Sequence, residues 1–95
     1  MKVDKDMTIY TAAELKPALL AEATGSREPL IDCSGVGEID CAGLQLLLLA
    51  RREAIAAGRS LRLVGDSPAV AELLTLAGYG ALLGEPLPEA AGGAR

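Results

Sequence analysis

Hydrophobic and polar positions follow two different spacings along this chain. Met7 and Ile9 flank the polar Thr8, and with Val3 upstream they predict an edge-type strand over Met7 to Tyr10. From Thr11 the spacing lengthens. Ala12, Leu15, Leu19 and Ala23 recur every three to four residues, the period of a helix buried on one side. Thr11-Ala12-Ala13-Glu14 has the form of a capping box, with hydroxyl and carboxylate each reaching the other residue's backbone N–H. Pro17 lies beyond the free first turn, so it deletes the bond to the Ala13 carbonyl. That implies either a tight opening turn or a kink. Gly25 and Ser26 close the helix, and Arg27-Glu28-Pro29 is a surface link.

Leu30 to Cys33 shows no true alternation, as expected of a strand covered on both faces. Ser34 to Ile39 is a loop carrying Gly35 and Gly37. Asp40 then stands at the N-cap of a leucine-rich helix over 41–57 that stops at Gly58. Ser60 to Val64 alternates again and predicts a strand. Ser67-Pro68 reads as N-cap and first-turn proline of a third helix, striped by Val70, Leu73, Leu74 and Ala77 and capped at Gly78. Tyr79 to Leu83 is a short strand or a final turn. Residues 84–95 are expected to form a flexible tail behind a domain spanning 1–83. Strand, helix, strand, helix, strand, helix with short links implies an α/β domain with right-handed crossovers and a largely parallel sheet.

Composition narrows the chemistry. Ninety-five residues suit one core, and with two aromatic residues, Tyr10 and Tyr79, that core must be aliphatic. The net charge of −4, without any Lys/Arg run, leaves no phosphate-tracking patch and argues against nucleic acid. The absence of histidine removes the commonest general base and metal ligand, so neither a cofactor nor a metal is expected. A cysteine hydrolase lacks a base for its thiol, and Ser34-Gly35-Val36-Gly37 lacks the lysine of a phosphate loop. Cys33 and Cys41 alone make no disulfide framework, which suggests a reducing compartment. The longest apolar run, Leu46 to Ala50, is too short to span a bilayer, and no signal peptide is evident, so a cytoplasmic protein is expected.

Function is expected at the junction of the 34–43 loop and the second helix. Asp40 caps the helix by accepting from Ala42 or Gly43. Cys41 is either a small residue that fits a helix start or a thiol responsive to redox state. The helix N-terminus favours its thiolate, whereas Asp40 opposes it. Four consecutive leucines cannot all face one sheet, so Leu44, Leu48 and Leu49, rimmed by Gln45, Arg51 and Arg52, supply surplus apolar surface. Gly37, Glu38 and Ala42 complete the expected contact surface, which suits a protein partner or a second copy of the chain. The competing reading is that these leucines simply pack beneath neighbouring loops and the first helix.

Ile31-Asp32-Cys33-Ser34-Gly35-Val36, Ile39-Asp40-Cys41-Ala42-Gly43-Leu44, the leucine-rich helix ending at Gly58, and Leu61-Arg62-Leu63-Val64 followed by Ser67-Pro68-Ala69-Val70 together resemble the STAS domain of sulfate transporters and anti-sigma-factor antagonists. The resemblance covers about residues 7–80. It implies a sheet of four to five strands with helices packed against it, and a non-enzymatic protein-binding switch of bacterial signalling. The implied partner is an anti-sigma factor or kinase-like protein, or a chemotaxis protein. In that family a serine after the capping aspartate is phosphorylated, and that position is Cys41 here, so the usual switch lacks its hydroxyl. Other free-standing STAS domains, which also lack that serine, serve as accessory subunits of phospholipid-transport ABC systems beside an ATPase. A thiol sensor at Cys41 is the third alternative.

Overall fold

The computed structural model describes residues 1–65 and 67–80. The order is α1 (Ala12–Gly25), β1 (Leu30–Asp32), α2 (Cys41–Ala56), β2 (Arg62–Val64) and α3 (Pro68–Leu76). β1 and β2 pair in parallel, with Leu30 opposite Arg62, Ile31 opposite Leu63 and Asp32 opposite Val64. The α/β class and the parallel pairing are as expected. The expected sheet of four to five strands is not what the described residues hold. They hold two strands, extended by single-residue parallel bridges from Lys2 to Asp32 and from Met7 to Ile39.

The N-terminal segment explains the shortfall. Val3 donates to the Asp32 carbonyl at 2.9 Å, and Met7 donates to the Glu38 carbonyl at 2.9 Å, so the segment touches its neighbours at two separated points. The predicted strand over 7–10 ends at Met7. The Thr8 carbonyl accepts from Thr11 at 3.0 Å and from Ala12 at 2.8 Å, folding 8–11 into a turn that leads into α1. The predicted capping box fails for the same reason. The Thr11 hydroxyl faces backward, accepting from the Thr8 N–H at 2.9 Å and donating to the Asp6 carbonyl at 2.7 Å, while Glu14 pairs with Lys5. α1 runs unbroken through Pro17, which is exposed.

The core is aliphatic. Leu15, Leu19 and Ala23 of α1 meet Leu46, Leu47, Ala50 and Ala54 of α2, joined among others by Ile31, Leu63, Val70, Leu74, Val3 and Met7. Gly58 ends α2 at φ +79°, a conformation that glycine adopts without a Cβ penalty. The turn at Tyr79 closes α3, its N–H donating to the Leu74 carbonyl at 2.7 Å. The alternatives for 79–83 beyond Gly80, and the tail at 84–95, lie outside the described residues.

Candidate functional site

The N-terminus of α2 is assembled from three directions. Asp40 Oδ1 accepts from Ala42 at 2.9 Å and from Gly43 at 3.1 Å, the predicted N-cap. Its other oxygen does something the sequence did not reveal: Oδ2 accepts from the Ile9 N–H at 3.0 Å, fastening the 8–11 turn beside the helix start. These bonds, the one from Ile9 foremost, hold the Asp40 carboxyl below the usual carboxylate range. Asp6 repeats the device one step away, its Oδ1 accepting from the Glu38 N–H at 3.0 Å.

Gly43 allows α2 to come this close. A Cβ there would fall inside the contact shells of the Met7 carbonyl oxygen and the Ile39 side chain, so only a hydrogen fits. From the far side, the buried Ser67 hydroxyl donates to the Val36 carbonyl at 2.8 Å and accepts from the Val70 N–H at 3.2 Å. One hydroxyl thereby caps α3 and anchors the 34–39 loop.

Between these supports the predicted residues separate into two groups. Cys41, Gln45 and Arg52 are exposed on α2, Gly37 and Glu38 are exposed on the loop, and Ala42, Leu48 and Leu49 are half-buried. Leu44 departs from expectation. It is 9% exposed and belongs to the core, lying on the flank that turns inward beyond Gly43. Leu48 also packs partly on the core, so the surplus apolar surface at the centre of α2 is narrower than the leucine count suggested. Of the three leucines, Leu44 alone is buried.

Two surface residues were missed altogether. Ile9 is 69% and Tyr10 94% exposed, standing at the corner that Asp40 fastens. The strand reading placed Ile9 on the same side as Met7. The better signal was the Asp6/Thr8/Thr11 spacing, whose short side chains bond to nearby backbone and favour a turn. Beside this corner is a groove of about 510 Å³ lined by Asp6, Thr8, Tyr10, Thr11, Glu38, Ile39 and Asp40, without a basic side chain.

The two thiols differ. Cys33 is buried, and burial, reinforced by Asp32, pushes it up to about 11. Cys41 is exposed, and neither cysteine is in a disulfide. Among the described residues, no group of His, Cys, Asp and Glu is arranged to hold a metal ion, and no helix is long and apolar enough to cross a membrane.

A search of the curated proteins finds no match. Among solved structures, the chain is similar to a Thermotoga maritima protein provisionally described as an anti-sigma factor antagonist, with 20% identity and a TM-score of 0.72 over 84% of this chain and 70% of that one. That likeness establishes the fold. The family model described as "Mlab, STAS domain" matches residues 1–84, and the chain therefore belongs to the STAS family.

Proposed function

We propose that this protein is a non-catalytic interaction module of bacterial signalling that docks on an anti-sigma-factor-type partner through the 34–43 loop and the outward face of α2. The observation that carries this reading is the position of residue 41. A three-bond carboxylate cap at Asp40 fixes it at the exposed start of α2, next to exposed Glu38 and Gln45 and the Ile9–Tyr10 corner. A rigid, exposed helix start surrounded by apolar and charged side chains suits recognition by a protein surface.

A thiol at residue 41 bears on control. A Ser/Thr kinase transfers phosphate to a hydroxyl, so the wild-type chain binds without being switched off at this position. A second reading takes its support from the same atom: a partner that needs no phosphoryl switch, such as the ATPase of a phospholipid-transport ABC system, is compatible with Cys41. The redox-sensor reading has weaker support, since no basic group is hydrogen-bonded to Cys41 among the described residues.

The test uses purified candidates of both types, an ATPase-type anti-sigma factor and an ABC ATPase from the source genome, in quantitative pull-down and calorimetry. Retention of the anti-sigma type by wild type, weakened tenfold or more by Gln45→Arg and Arg52→Glu, supports the first reading. Retention of the ABC ATPase alone selects the second. Binding that ignores both substitutions overturns the assigned face. With ATP and an anti-sigma kinase, wild type stays unmodified at residue 41, whereas Cys41→Ser takes up phosphate there.

A further inference from the structure

The outward face of α2 has nearly the same pattern read from either end. Cys41, Gln45, Leu48, Arg52 and Ile55 recur at i, i+4, i+7, i+11 and i+14, a spacing that keeps all five on one side of a helix. Leu48 is half-buried and the other four are exposed, as are Arg51 and Ala56 beside them, so this stripe lies in the uncovered side of α2. At its N-terminal end stands the Ile9–Tyr10 corner; at its C-terminal end is Ile55, 53% exposed. These are three of the five large apolar side chains exposed among the described residues, and they flank one stripe at opposite ends.

A two-fold axis through Leu48 and perpendicular to α2 brings those ends together. Leu48 meets its own copy, and Cys41 falls opposite Ile55, both being seven residues from the axis. The Ile9–Tyr10 corner of each copy then lies near Ile55 of the other. Gln45 falls level with the other copy's Arg51, both being three residues from the axis. Charge agrees with the antiparallel sense. Asp6, Glu38 and Asp40 line the groove at the start of α2, whereas Arg51 and Arg52 lie in its second half. Antiparallel pairing directs arginines toward carboxylates and opposes the helix dipoles favourably; parallel pairing sets arginine on arginine.

We infer that the outward face of α2 is an isologous self-association surface on which two copies pair antiparallel about Leu48. A 16-residue helix presents only about 24 Å of length, so the contact is small and the dimer weak. Because the proposed docking face is the same surface, pairing hides it, and a partner must compete with the second copy. This last consequence rests on the functional reading above; the pairing itself does not.

Ile55→Cys in the full chain, with native Cys41, tests the register. Mild oxidation is expected to yield a covalent dimer, bridged between Cys41 of one copy and the introduced thiol at position 55 of the other. It should form at least tenfold faster than in a Lys16→Cys control on α1, or in a Cys41→Ser/Ile55→Cys variant that permits only a 55–55 bridge. Buried Cys33 does not compete. Sedimentation should show wild type dimerising with rising concentration, and Ile55→Asp and Arg52→Glu each weakening the dimer several-fold while circular dichroism stays native. A monomer at every concentration up to about 500 µM, or a faster 55–55 bridge, overturns the pairing. Absence of pairing in the wild type, with partner binding intact, defeats this inference alone. Pairing that no partner displaces defeats the docking assignment and leaves the dimer.

Discussion

At the scale of single residues, the site depends on two atoms: one that is present and one that is absent. The absent one is a Cβ at residue 43. Gly43→Ala must displace the Met7 carbonyl, which is backbone and cannot swing aside. The expected cost is about 2 kcal/mol or more, read as a lower urea midpoint. Gly25→Ala, with nothing within 4 Å of its added carbon, serves as the contrast and should be neutral or slightly stabilising. The present atom is the second oxygen of Asp40. Its carboxyl is lowered by N–H donors, as is that of Asp32, where Ser34 is the main donor. The charged forms therefore add stability that is fully present above the unfolded value, near pH 4, and that is lost as pH falls through the lowered folded values. Melting curves from pH 6 to pH 2 should show that loss, and Asp40→Asn should make the acid limb shallower.

At the scale of elements, what could be read from sequence was what depends on neighbours in the chain. Asp40 and Ser67 announce α2 and α3 because an N-cap bonds within three residues of itself. Gly58 and Gly78 mark helix ends for an equally local reason, their positive φ. Thr11 looks like a cap by the same grammar, yet its hydroxyl is engaged by Asp6 and Thr8, which the helix pattern does not encode. The depth of Leu44 was illegible too. A helical wheel gives its angle but not how far the neighbouring chain closes over that flank. Ser67 carries more than its local role suggests. Ser67→Ala removes the α3 cap and leaves the Val36 carbonyl without its hydroxyl donor. About 1–3 kcal/mol of stability should be lost, and the 34–39 amides should broaden in NMR spectra. Leu47→Ala, deep in α2, should cost about 2–5 kcal/mol by leaving a cavity.

At the scale of the whole molecule, the chain builds a helix-bearing face on a very small sheet. Among the described residues, two three-residue strands supply the ladder, and α1 and α2 pack together to supply much of the interior. The parallel order was readable because short links between alternating strand and helix patterns leave few topologies open. The number of strands was not, because it depends on how long the N-terminal segment stays beside its neighbours. Sequence alternation records the segment's preference for extended backbone, not the extent of its pairing.

That segment has a consequence of its own. Val3 and Met7 are buried to the last few per cent, yet their segment is joined to its neighbours by isolated bridges, Lys2 to Asp32 in β1 and Met7 to Ile39. Their contacts join positions about thirty residues apart, so loop closure makes them late to form and early to open. In native-state hydrogen exchange, the Val3 and Met7 amides should open at a free energy below that of the Leu46–Ala50 turn of α2, as a separate foldon. The Ile9–Tyr10 corner is attached to that foldon at one end and to Asp40 at the other. Its presentation would then depend on a sub-global opening equilibrium, so that a substitution at Val3, far from the surface, could change how often the corner is available.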